Sequence, residues 1–102
     1  MTRRRPSSAA AWEWDEGNEG ELASHKITPI EVYEVWMEGP LWIPNKRRRS
    51  GDWKMLGRTG SGRRLAVVVR FDEDRAVLRA ITGWDATPGE LSRYFKGDDP
   101  RA

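Results

Sequence analysis

Apolar and polar residues alternate most clearly from Leu65 to Phe71 and from Ala76 to Ile81, and the charged stretch Asp72 to Arg75 separates the two runs. That pattern predicts an antiparallel β-hairpin. The glycine-rich turn Thr59 to Gly62 precedes it, and Asp52 to Arg58 supplies a strand leading into that turn. Leu41-Trp42-Ile43 forms a further short strand stopped by Pro44. Near the front, Ala11 to Asp15 (AWEWD) alternates as a strand with Trp12 and Trp14 on one face. Elsewhere the period lengthens to that of a helix. Thr28-Pro29-Ile30-Glu31 pairs a capping threonine with a glutamate three residues on and puts proline at the first helical position. A helix from Pro29 to about Met37 follows, with Ile30, Tyr33 and Trp36 or Met37 along one side and Gly39-Pro40 as its stop. Thr87-Pro88-Gly89-Glu90 repeats the arrangement ahead of Leu91, Tyr94 and Phe95, and Gly97 closes that helix. Glu16 to Ser24 is a weaker helical segment, since Gly17 and Gly20 lower its propensity and Leu22 is its anchor.

The order of elements is strand, helix, helix, four strands, helix. Helices at both ends of consecutive strands indicate an α+β fold: a small antiparallel sheet of four to five strands, two N-terminal helical segments and one C-terminal helix, with one sheet face covered. Residues 11–97 form a single domain, between a disordered basic tail at 1–10 and a short tail at 98–102. If Leu65, Val67, Val69 and Phe71 point into the helices, Arg64, Ala66, Val68 and Arg70 face the other way. In the next strand Arg75, Val77, Arg79 and Ile81 share a face, so Arg70 and Arg79 can meet on an open surface. With 102 residues, 37% of them hydrophobic, the chain supports one core and not two.

Composition narrows the chemistry. Without cysteine and with His25 as the single histidine, a metal site would have to be built mostly from carboxylates, so no cofactor or metal is expected. No segment is apolar enough for a signal peptide or a bilayer span, which points to a cytoplasmic protein without membrane contact. The net charge of +2 hides a sorting of sign along the chain. Glu13, Asp15, Glu16, Glu19, Glu21, Glu31, Glu34 and Glu38 face only Lys26 in the front third. Lys46, Arg47, Arg48, Arg49, Lys54, Arg58, Arg63 and Arg64 face only Asp52 in the middle. Such a basic cluster suits a polyanion such as RNA, which exchanges counterions for Lys and Arg; the other reading is a solvated loop answered by the acidic front.

The segment WEWDEGNEGELASHKIT, followed by the helix containing Glu31-Val32, resembles the opening of the BrnT-type toxin family. Gly57-Arg58-Thr59, Gly62-Arg63 and Leu65 to Val69 are similar to that family's Gly-x-Thr-x-x-Gly-Arg hairpin and hydrophobic strand. Ile81-Thr82, Ala86-Thr87, Glu90 and Tyr94 match its closing motifs, so the resemblance spans about Trp12 to Phe95. It implies a RelE-like fold and a type II toxin that cleaves RNA without metal and is held inactive by a ribbon-helix-helix antitoxin, as a homodimer or a toxin–antitoxin heterotetramer. The chain departs from the family pattern at Ser24, at Lys26 in place of glycine, and at Gly83-Trp84-Asp85 in place of Ala-Arg-Arg.

Metal-free RNA cleavage needs a base for the 2′-hydroxyl, an acid for the departing 5′-oxygen and cations around the phosphorane. Histidine is the residue type suited to proton transfer near neutrality, which puts His25 forward, with Glu90 or Tyr94 as the second proton carrier. Arg58, Arg63, Arg79 and Arg93 are the candidates for charge stabilisation, and Lys46 to Arg49, Trp53 and Lys54 for holding RNA, Trp53 by stacking on a base. Each has a structural alternative: His25 bonding its loop, Glu90 as the cap partner of Thr87, Tyr94 packing on Leu91, Trp53 in a core. Trp12, Trp14 and Trp36 suit a core or a partner interface, and Trp84 a base-stacking or partner contact. A non-catalytic nucleic-acid or protein-binding module of the same fold is the competing function.

Overall fold

The computed structural model describes residues 5–45 and 52–95. Five strands and three helices follow in the order β1 (Ala11–Glu13), α1 (Glu16–Ser24), α2 (Pro29–Met37), β2 (Leu41–Pro44), β3 (Trp53–Arg58), β4 (Arg64–Asp72), β5 (Val77–Asp85) and α3 (Pro88–Phe95). The fold is α+β, as the sequence pattern indicates. All three helices begin at reciprocal caps. Asp15 and Asn18 close the box on α1, Thr28 and Glu31 on α2, and Thr87 and Glu90 on α3. Each box satisfies two backbone amides that the helix itself leaves without partners, which is why the helix starts are sharp.

The sheet runs β1-β5-β4-β3-β2. Four strands are antiparallel as expected, but β1 joins β5 in parallel, with Trp12 opposite Leu78 and Glu13 opposite Arg79, so the sheet is mixed. β1 pairs over three residues only, and Asn18 takes over where it leaves: its buried amide donates to both Glu13 O and Ala80 O at 3.0 Å.

Both faces of the sheet are used, in contrast to the single covered face expected. On one, Leu22, Ile27, Val32 and Val35 from the α1–α2 region pack on Met55, Leu65, Val67, Val69, Phe71, Leu78 and Ala80. On the other, α3 covers a smaller cluster of Ile43, Leu56 and Ala66, with Trp84 and Tyr94 against it. Two glycines let the helices settle on the first face. A Cβ on Gly57 would stand 3.0 Å from Val35 Cγ1, and one on Gly83 would meet Ala66 O at 3.0 Å and Ile27 Cδ1 at 3.2 Å.

Three expectations need correction. A register shift between Val68 and Val69 places Ile81 and Thr82 together in a bulge, since Val68 pairs with Thr82 and Val69 with Ala80. The extra residue reverses the alternation of β5: Leu78 and Ala80 face α1, and so does Gly83, leaving Trp84 on the α3 side. The helix α2 turns Val32 and Val35 inward, while Ile30 (70% exposed), Tyr33 (51%) and Met37 (62%) face outward; both sides of this helix are apolar, so the pattern alone does not choose between them. Finally, residues 5–10 are not a loose tail. Pro6–Ser8 form a 3₁₀ turn with Pro6 buried, Ala9 packs on the larger core, and Ala10 N donates to Ala76 O at 2.8 Å. Proline and small residues bury without desolvating a charge, so a basic flank does not prevent docking. No helix among the described residues is long and apolar enough to cross a membrane.

Candidate functional site

The site residues expected from sequence divide between the two sheet faces. On the α1–α2 side, α1 ends in a Schellman motif, with Ile27 N bonded to Leu22 O and Lys26 N to Ala23 O. Lys26 occupies the left-handed position of that motif, φ 61°, which glycine adopts more readily. His25 is the C-cap, and its Nε2 lies 3.2 Å from Glu21 Oε2, an oxygen that also accepts from Thr82 Oγ1 at 2.8 Å. The hydrogen bonds from Thr82 and His25 hold the Glu21 carboxyl below its ordinary value.

Arg63 is the hub of this side. Its Nε donates to Asp85 Oδ1 at 2.9 Å, Nη1 to Lys26 O at 2.6 Å and to both oxygens of Glu31, and Nη2 to His25 O. The guanidinium thereby ties the end of α1, the cap of α2 and the end of β5 together, and it neutralises carbonyls that the helix leaves exposed. Asp85 and Glu31 raise the Arg63 pKa against the effect of burial. Burial pushes Glu31 up, but Thr28 and Arg63 outweigh it and the carboxyl sits low. Arg79, expected among the RNA contacts, is bonded to Asp15 at 2.8 Å and lies 3.8 Å from Glu13. Trp53 is half-buried against the larger core, with the Arg5 guanidinium 5.6 Å from its ring centroid. The charges of Arg63 and Arg79 and the ring of Trp53 are therefore engaged within the molecule.

Glu90 and Tyr94 lie on the opposite face, under α3. Glu90 is buried, and three groups donate to its carboxylate: Lys54 Nζ at 2.7 Å, Trp84 Nε1 at 3.0 Å and Thr87 N at 2.9 Å. Burial pushes its pKa up, yet the bonds from Lys54, Thr87 and Trp84 prevail and hold it below the ordinary value, so it is an ionised acceptor at neutral pH. Tyr94 packs with Trp84 against Leu56 and Ala66. The sheet thus separates His25 from both of its expected proton-transfer partners.

What the α3 face does bring together is arginine. Leu56 and Ala66 point toward α3, and alternation carries Arg58 and Arg64 to the same side. These two are directly opposite in the β3–β4 register, and both are exposed. Farther along, Arg70 stands opposite Arg79, as the sequence allowed. Arg93 is exposed in the last turn of α3. Arg64 was not among the expected site residues, although the alternation upstream of Leu65 carries the signal. Asn18 was missed too; its three-residue spacing from Asp15 is the capping signature that finds it. Lys46, Arg47, Arg48 and Arg49 lie outside the described residues.

Where β1 ends and β5 continues, Gly17, Asn18, Glu21, Arg79, Ile81 and Thr82 line an open depression of about 400 Å³. No group of three or more potential metal-ligating side chains converges among the described residues. No family model matches the sequence, and no curated protein matches it significantly.

Proposed function

We propose that this protein is a BrnT-type, RelE-like toxin that acts on RNA through the α3 face of its sheet. The observation that carries this reading is the cross-strand pair Arg58–Arg64, followed along β4 by Arg70, on the face that α3 covers in part. The two exposed guanidinium groups concentrate positive charge on this part of the sheet. A phosphate backbone laid across the pair bridges both guanidinium groups.

In the cleavage step the 2′-oxygen attacks the adjacent phosphorus, the 5′-oxygen leaves, and a 2′,3′-cyclic phosphate remains. The 2′-hydroxyl loses a proton and the 5′-oxygen gains one. Arg58 and Arg64 stabilise the charge that builds on the phosphorane. Tyr94 is the proton carrier on this face, whereas Glu90 positions Lys54 and Trp84. The resemblance further implies action in the cytoplasm and a ribbon-helix-helix antitoxin as inhibitor, in a homodimeric or heterotetrameric assembly.

A second reading, a catalytically degenerate RNA-binding module, is favoured by one set of contacts. Gly83, Trp84 and Asp85 stand where the resembling family has Ala-Arg-Arg, and all three have structural roles: room for Leu22 and Ile27, the bond to Glu90, and the bond to Arg63. Incubation of mixed cellular RNA with the protein in excess EDTA separates the two. Cleavage that is lost in Arg58→Ala/Arg64→Ala and kept in His25→Ala supports the toxin at this face. RNA binding that weakens steeply with salt, without cleavage, supports the degenerate module. Cleavage lost in His25→Ala and kept in the arginine double variant would move the site to the other face and defeat the proposal.

A further inference from the structure

The arginine face leaves the opposite surface of the molecule without a role. Large exposed hydrophobic residues are few among the described residues, and Ile30, Tyr33 and Met37 account for most of them. Their spacing of three and four residues places them along one stripe of α2, turned away from Val32 and Val35. The stripe does not end at the helix. Tyr33 meets Trp36 edge-on at 5.6 Å, Trp36 meets Trp12 at 5.9 Å, and Trp12 stacks on Trp14 at 6.2 Å. A continuous aromatic row therefore leads from the exposed helix surface down to β1. Tyrosine and tryptophan at such a rim are the residue types that carry most binding energy in protein interfaces, and a helix stripe at this spacing matches helix-in-groove recognition.

Charge identifies what belongs there. Of the eight carboxylates between Ala11 and Glu38, Glu13 and Asp15 are answered by Arg75 and Arg79, Glu31 by Arg63, and Glu21 by His25 and Thr82. Glu16, Glu19, Glu34 and Glu38 form no ion pair among the described residues. Those four border the outward surface. Glu34 and Glu38 flank the stripe on α2, and Glu16 and Glu19 line an apolar groove between α1 and α2 that ends on Pro29, the neighbour of Ile30. An acidic rim repels RNA and anionic lipid headgroups. It also disfavours a two-fold pairing with a second copy, which would bring Glu34 and Glu38 against the same carboxylates.

We infer that the outer face of α2, built from Ile30, Tyr33 and Met37 and rimmed by Glu34 and Glu38, docks a cationic amphipathic helix of a partner protein. The apolar side of that helix covers the stripe, and its lysines or arginines reach the rim. This inference stands apart from the RNA reading, because the two surfaces are on opposite sides of the sheet.

The full chain titrated with a synthetic helical peptide of leucine and lysine tests it, beside a control peptide with glutamate in place of every lysine. Tryptophan fluorescence and calorimetry provide the readouts. The wild type binds the lysine peptide at least about tenfold more tightly than the glutamate peptide. Ile30→Asp/Met37→Asp loses about tenfold or more in affinity, with circular dichroism confirming that the fold is kept. Glu34→Gln/Glu38→Lys narrows the preference between peptides while the Gly60 amide, which donates to Glu34 at 3.0 Å, keeps its acceptor. RNA bound at the arginine face does not compete. Equal binding by the Ile30→Asp/Met37→Asp variant, no binding by the wild type, or self-association of the wild type that this variant abolishes overturns the inference, the last by placing a second copy on the stripe.

Discussion

The two faces of the sheet solve different problems with the same strands. Under α1 and α2 the apolar layer is broad, and the charges around it are matched: Arg63 alone satisfies two carboxylates and two carbonyls. Under α3 the apolar layer is thin, Glu90 anchors it through Lys54 and Trp84, and arginines stand opposite each other across strands. The first face is arranged for stability. On the second, exposed arginines are gathered on adjacent strands, and the proposed polyanion site rests on that contrast.

If the contrast is right, the largest loss of stability comes from the α1–α2 side. Leu22→Ala removes a fully buried side chain and lowers the unfolding free energy by about 3 kcal/mol in urea titration. Arg63→Met retains the aliphatic stem but leaves Glu31 without its cation and the Lys26 carbonyl without the guanidinium donor, a loss of about 2 kcal/mol, with faster amide exchange concentrated between His25 and Glu31.

Glu90→Gln costs about 1 kcal/mol at neutral pH, because Lys54 loses its charged acceptor. Since the folded carboxyl titrates below its ordinary value of 4.5, the unfolded chain takes up this proton first as pH falls. The contribution is complete above about pH 6 and disappears as pH drops below 4.5 through the folded value. The stability gap between wild type and variant therefore stays level above about pH 6 and closes in acid.

Smaller effects sharpen the comparison from the opposite direction. Lys26→Gly relieves the left-handed backbone at φ 61° and raises the thermal midpoint, by about 1 kcal/mol of added stability. Arg58→Ala/Arg64→Ala changes stability by less than about 0.5 kcal/mol. It nevertheless weakens RNA binding and flattens the dependence of log affinity on log salt by about 1 to 2. A variant that loses stability and RNA affinity in proportion would erase the distinction between the faces.

The starts of α2 and α3 were legible in the sequence to the residue because their caps are written in side chains: Thr28 with Glu31 and Thr87 with Glu90 need no tertiary information. The hairpins were legible for the same local reason. The parallel pairing of β1 with β5 was hidden, since it joins Trp12 to Leu78 across the length of the chain and no local turn encodes it. The choice of Val32 and Val35 over Ile30 and Tyr33 as the buried side of α2 was hidden because both sides are apolar and the close fit of Val35 over Gly57 is a tertiary contact. Of the site, Arg58, Glu90 and Tyr94 were legible as residues of interest. Their separation from His25 was not, because it depends on which sheet face each element covers.

The bulge at Ile81 and Thr82 has a consequence for how this gene tolerates insertion and deletion. Up to Ala80 the strand is read in one phase, and from Gly83 onward in the other, much as a frameshift changes every codon downstream. Deleting Ile81 would close the ladder, with Val68 still opposite Thr82 and Val69 opposite Ala80, and would leave Gly83, Trp84 and Asp85 on their present faces. Straightening the strand with every residue kept would instead drive Trp84 into the space that Leu22 and Ile27 fill and carry Asp85 away from Arg63. Exchanges of side chain at Ile81 or Thr82 are mild by comparison, so the feature under strictest control at this point of the chain is the phase of the strand on either side of the bulge.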